Sequence, residues 1–92
     1  MLNNCTLVGR MVNLEIKENN GEKMGIMYLS TPKDKENIIV VEIVLYENMM
    51  NNVKEYCDKG DLVGIKGKVD LLDNKTIIVA EKITFLSSRK DS

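Results

Sequence analysis

The stretch KGDLVGIKGKVDLL, residues 59–72, sets Lys59, Lys66 and Lys68 among Gly60, Gly64 and Gly67. Lysine beside glycine invites a phosphate reading, but a phosphate-cradling loop needs a glycine five residues before the glycine-lysine pair and Ser or Thr after it. Leu62 and Val69 hold those places, so spacing excludes nucleotide-loop chemistry. Catalysis has no more support. The chain has no His and no CxxC, H-E-x-x-H or G-x-S-x-G pattern. The usual general base, zinc ligands and nucleophile elbow are therefore missing, and neither an enzyme, a cofactor nor a metal is expected. What remains is binding chemistry, with cations for phosphates and aromatic rings for bases. The rings are few: Tyr28, Tyr46, Tyr56 and Phe85, with no Trp.

The whole chain bounds what these residues can do. Its 92 residues suffice for one domain, able to bury roughly 60 to 65% of its unfolded surface. With 13 Lys and Arg against 14 Asp and Glu, the net charge is -1. No global field attracts a polyanion, and any such binding must use a local patch. No apolar run reaches the roughly 18 residues of a membrane span, and Met1 to Lys17 lacks a cationic start followed by an apolar stretch. A cytoplasmic protein without membrane contact is expected. Cys5 and Cys57 then read as reduced, packed thiols rather than a disulfide.

The elements that position the cations and rings follow from periodicity. In NNCTLVGRMVNLEI, Cys5, Leu7, Gly9 and Met11 share one parity, and the apolar parity then moves to Leu14 and Ile16. A strand that changes its inward face beside a glycine predicts a bulge or sharp bend. Asn20-Gly21 suits a turn at positive φ. MGIMYLST is a second strand stopped by Pro32, KDKEN a polar loop, and NIIVVEIVLY the most β-prone run. At residue 47 the period changes: Met49, Met50, Val53, Tyr56 and Cys57 stand at helical spacing, and Gly60 follows, which predicts a short amphipathic helix near 48–58. Tyr56 on its apolar face and Phe85 in the last strand are expected in the core. Val63, Ile65, Gly67, Val69 and Leu71 share one face of the fourth strand, read as inward. Leu62, Gly64, Lys66, Lys68 and Asp70 share the other, so the lysines point out. Gly64 and Gly67 read as sites of barrel curvature. Asp73-Asn74 turns the chain into TIIVAEKITFL, whose mixed parity predicts another bend. Three strands, a helix and two strands make an all-β domain, the five-stranded Greek-key OB barrel with one short α-helix between strands 3 and 4. It is expected over residues 1–86, with 87–92, SSRKDS, as a short flexible end.

In these fragments the chain resembles the bacterial single-stranded DNA-binding protein family. MLNNCTLVGR is similar to the family's opening, MYLST to its second strand, NNVKEYCDKGDLVGIKGKV to its helix, turn and fourth strand, and AEKITFL to its closing strand. The resemblance implies a homo-oligomer, a tetramer or dimer, around which single-stranded DNA wraps. Bases stack on aromatic rings while Lys and Arg follow the phosphates. It places Tyr46 at a stacking position before the helix, Lys68 on the outer face of strand four, and Arg10 at the end of the first-strand motif. Departures are visible. Val40 stands where the family commonly has Trp or Phe, and Asp70 where it commonly has Arg. The loops between strands two and three and between four and five are shorter. The family's long tail with an acidic, hydrophobic tip has no counterpart in SSRKDS, so recruitment of proteins through a tail is not expected.

Two functions fit. The first is sequence-tolerant binding of single-stranded DNA in replication, recombination or repair, with Tyr46, Lys66, Lys68, Arg10, Tyr28, Lys33 and Lys35 as its contacts. Asp34 and Glu36 beside Lys33 and Lys35 weaken the case for that loop, and the side to which Tyr28 points is open. The second is an OB-fold protein-interaction or primosome-type adaptor module with weak or no DNA binding, in which Lys66 and Lys68 are only a solvated strand face. NIIVVEIVLY is apolar on both parities. Because a small barrel has one inside, its outer parity predicts an interface between copies, with the first strand as a second candidate.

Overall fold

The computed structural model describes residues 3–87. Its elements are β1 (Cys5–Asn19), β2 (Glu22–Pro32), β3 (Ile38–Tyr46), α1 (Glu47–Tyr56), β4 (Leu62–Leu72) and β5 (Lys75–Ser87). The strands close into a barrel in the order β1-β2-β3-β5-β4. All neighbours are antiparallel except β3 and β5, which meet in parallel at Ile43 opposite Ile78 and Val44 opposite Val79. With its helix between β3 and β4, this is the expected OB barrel. No helix of the described residues is long and apolar enough to cross a membrane.

β1 serves two partners. Its first half pairs with β4, from Cys5 opposite Gly67 to Arg10 opposite Leu62. Its second half pairs with β2, with a register shift between Met11 and Asn13. Val12 is the additional residue, and the bulge lies where the apolar parity changes. Both hairpins turn on residues that tolerate positive φ, Asn20 (53°) with Gly21 (81°) and Asp73 (51°) with Asn74 (64°). The mixed parity of the last strand is also a pair of bulges: Glu81 and Leu86 are skipped in the pairing with β4.

Met11, Met27, Leu29, Ile43, Leu45, Val63, Ile65 and Ala80 fill the barrel, and Met50 and Val53 of α1 plug one end. The helix stops at Tyr56 because Cys57 is extended (φ -126°), its amide still donating to the Val53 carbonyl oxygen. A second cluster, Ile26, Val44, Ile77 and Val79, lies on the other side of the same strands, edged by Met24, Tyr28 and Leu72. The premise of a single inside is thus corrected. The outer parity of β3 is partly buried by the β4–β5 hairpin, and only its start, Ile38 to Val40, stays exposed.

The inward face of β4 also needs correction. Val63, Ile65 and Gly67 are buried, but Val69 and Leu71 are exposed. Beyond the register shift at Lys66/Gly67, the strand leaves the barrel as a projecting hairpin with no interior to face. The two glycines there differ. A Cβ at Gly67 would lie 2.5 Å from the Val79 carbonyl oxygen, whereas one at Gly64 would meet nothing closer than Leu86 Cδ1 at 3.6 Å. Only Gly67 permits a close backbone approach.

Candidate nucleic-acid interface

Two stretches of outer surface carry the residues suited to a polyanion with bases. The first is the outside of β2 and β3. Strand alternation sends Met24, Ile26 and Tyr28 outward, opposite Tyr46, Val44 and Glu42. Tyr46, the residue that begins α1, is 56% exposed and its ring is open to a base. Tyr28 is half-buried, and its hydroxyl faces Glu15 Oε1 at 3.5 Å, so the open orientation resolves to the outer face. A cleft of about 220 Å³ lies beside them, lined by Lys17, Met24, Glu42 and Lys75 among others, between the β1–β2 and β4–β5 hairpins. Its cations are already engaged. Lys17 Nζ is 3.4 Å from Glu15, and Lys75 Nζ is 2.8 Å from Glu42. The hydrogen bond to Glu42 and that carboxylate's charge raise the Lys75 pKa above its usual value. Four neighbouring charges thus cancel in pairs, and this face offers rings and apolar surface more than charge.

The second stretch is the outside of β4 and β5. Lys66 stands directly opposite Lys82, and Lys68 opposite Val79. Like charges facing each other across an antiparallel pair destabilise it, roughly 0.2 to 1 kcal/mol being the scale of such cross-strand terms. No carboxylate among the described residues forms an ion pair with any of the three lysines. An unbalanced cation cluster on a sheet face is the electrostatic footprint that a phosphate backbone relieves. Lys82 escaped sequence reasoning because AEKITFL has no readable parity. The skipped residue Glu81 sets Lys82 on the face of Lys66, and the only available signal was the mixed apolar pattern itself.

The remaining expected contacts lie apart. Lys33 and Lys35 are exposed in the β2–β3 loop, which Asp34 organises by accepting the amides of Glu36 and Asn37 at 2.9 Å. These bonds, with that from the Asn37 side chain first, lower the Asp34 pKa, so the loop keeps an acid between its lysines. This loop and Tyr46 mark opposite ends of β3, about 25 Å apart for nine extended residues. Arg10 lies on the β1–β4 side, its Nη1 donating to the Gly60 carbonyl oxygen at 2.9 Å. Tyr56 and Phe85, expected in the core, are instead 63% and 42% exposed. Their rings pack against each other at 6.3 Å and 53°. Tyr56 follows the last buried turn of α1, and Phe85 sits where β5 runs out past the barrel end. The expected residues therefore form a track around the barrel rather than one pocket.

This geometry, an OB barrel with stacking rings on one face and unbalanced lysines on the next, is matched in sequence. The Single-strand binding protein family model fits residues 2–86. The chain belongs to this family. The family is one of binding proteins, and the resemblance read from four sequence fragments is borne out. A relative in Staphylococcus aureus (strain COL), Single-stranded DNA-binding protein 2, is 28% identical over 109 residues, covering 100% of this chain and 78% of that protein. The mitochondrial single-stranded DNA binding protein Rim1 of S. cerevisiae shares the fold with a TM-score of 0.83 at 18% identity, over 96% of this chain and 97% of the other. The dimeric N-terminal domain of PriB from Thermoanaerobacter tencongensis aligns with a TM-score of 0.72 at 27% identity, over 94% and 98% of the two chains.

Proposed function

We propose that the chain binds single-stranded DNA without reading its sequence, as a homo-oligomer and without catalysis, in the cytoplasm. The observation that carries this reading is the opposed pair Lys66 and Lys82 with Lys68 beside it, unbalanced on the outside of a barrel that belongs to this family. The lysines take phosphates, and Tyr46 takes a base on the adjoining face. Tyr28 packs behind it, its hydroxyl held near Glu15. Arg10, Lys33 and Lys35 extend the phosphate contacts at the margins. Few rings and paired charges on the β2–β3 face make the binding weak to moderate and dependent on salt.

Titration with oligo-dT of a few dozen nucleotides at two salt concentrations tests this. Log affinity should fall with log salt at about -0.7 per phosphate contact, and Lys66→Glu/Lys68→Glu should lower both affinity and slope. Tyr46→Ala should weaken binding by about 1 to 3 kcal/mol, the worth of one stacked base. Absence of binding even at low salt would shift the reading to the protein-interaction module.

A further inference from the structure

The exposed pair Tyr56 and Phe85 is not used by the reading above, and it is the other place on the barrel where aromatic rings meet solvent. The two rings belong to different elements, the end of α1 and the end of β5. Their tilted contact at 6.3 Å holds each in place while most of the Tyr56 ring stays open. This lowers the entropy lost when a flat partner is added. The turn that follows α1 carries Lys59, and Gly60 receives the Arg10 guanidinium at 2.9 Å. The same segment holds acids: Glu55 and Asp58 are exposed, and Asp61 is buried with Oδ2 accepting the Asp58 amide at 2.8 Å. Cations and acids are thus balanced, and the patch offers rings without a net field.

What points to an occupant is continuity. β5 carries Lys82 of the lysine cluster and, three residues on, Phe85, a separation of about 10 Å along an extended strand. A strand whose phosphates lie on Lys66 and Lys82 is led along β5 to this pair. We infer that Tyr56 and Phe85 form a second base-stacking platform for single-stranded DNA, continuing the β4–β5 lysine track toward the end of the helix. The inference rests on the proposed DNA-binding function. It adds a route over β4, β5 and α1, away from the β2–β3 face where Lys17 and Lys75 are spent on Glu15 and Glu42.

Because this platform acts by stacking in a charge-balanced setting, it leaves a signature distinct from that of the lysines. The chain contains three tyrosines and no tryptophan, so tyrosine emission reports directly on oligo-dT binding. Tyr56→Ala and, separately, Phe85→Ala should each weaken oligo-dT binding roughly 5- to 150-fold, with the slope of log affinity against log salt unchanged. Tyr56→Phe should bind as the wild type does. Both rings are exposed, so truncation spares the buried core, and equal thermal midpoints would show it. If the wild type binds while Tyr56→Ala and Phe85→Ala bind within twofold of it, the second platform is overturned and the proposed function stands. If they weaken binding only by flattening the salt slope, the stacking role is likewise overturned. If the wild type does not bind at all, both ideas fall together.

Discussion

Gly64 and Gly67 stand three residues apart in one strand, yet the backbone around them makes opposite demands. Gly67 faces the Val79 carbonyl oxygen, where a methyl group would arrive at 2.5 Å, with Ile78 Cγ2 at 3.1 Å. Gly67→Ala should therefore force the β4–β5 pair apart and cost about 1 to 3 kcal/mol, the usual scale for overpacking. Gly64→Ala should be neutral or gain up to about 1 kcal/mol, since a strand glycine carries an entropic cost and the added carbon meets open space. Urea midpoints of the two variants decide the matter. Cys57 gives a second residue-scale prediction. Burial, with Asp61 and Asp58 adding to it, pushes its thiol up to about 11 from an ordinary 9.0. The folded chain keeps the proton where the unfolded chain has released it. This contribution is present below pH 9 and is lost as pH rises through 9 to 11. Cys57→Ala should therefore lose less stability than the wild type between about pH 8 and about pH 10.5 in urea unfolding.

Elements were legible wherever the sequence carried a change of period or a turn dipeptide. The β1 bulge showed as a parity switch from Met11 to Leu14, α1 as a change from two- to three- and four-residue spacing at Glu47, and both hairpins as Asn-Gly and Asp-Asn pairs. What escaped depends on neighbours distant in sequence. That Val44 is buried although it points outward follows from the β4–β5 hairpin, which brings Ile77 and Val79 against it. Val69 and Leu71 are exposed because the same hairpin has left the barrel. Alternation alone contains neither fact. Of the candidate site, Tyr46 and the outward lysines were readable from parity, whereas Lys82 and the exposed pair Tyr56 and Phe85 required the bulged register of β5. The second hairpin offers a test at this scale. Asn74 holds φ at 64°, a region where a β-branched residue costs about 1 to 2 kcal/mol and glycine almost nothing. Asn74→Val should lower the unfolding midpoint by that amount, and Asn74→Gly should preserve or raise it. The projecting strand also guards its edge. Asn3 pairs with both the amide and the carbonyl of Val69, at 3.0 and 2.9 Å, and the Asp70 carboxylate takes the Leu71 amide at 2.8 Å. These are bonds that a foreign strand would otherwise seek.

At the scale of the molecule, one outer surface has no internal cover. Val8 and Arg10 of β1 are joined through Ser30 and Pro32 of β2 to Val40 and Ile38 of β3 in a single run of register. A cleft of about 440 Å³ opens there, lined by Val8, Pro32, Ile38 and Leu62 among others. Ile38 is 66% exposed and Val40 54%. Contiguous exposed apolar residues on a small domain are the mark of a surface that a second copy covers. Light scattering at micromolar concentration should then give a multiple of 10.4 kDa. Ile38→Glu should reduce it to the single chain by placing a charge where the copies meet. Leu71→Glu, on the projecting hairpin, should leave the assembly intact although Leu71 is as exposed as Ile38. Assembly and DNA binding are then coupled by geometry. One barrel presents a short lysine track, and joining copies turns contact with the second track into an intramolecular event, so affinity rises without any new contact. Oligo-dT of a few dozen nucleotides should therefore bind the Ile38→Glu monomer at least about tenfold more weakly than the assembled wild type. Oligo-dT only long enough for one barrel should bind the two alike. Equal loss on both lengths would mean that Ile38 acts on the barrel itself and not on the joining of copies.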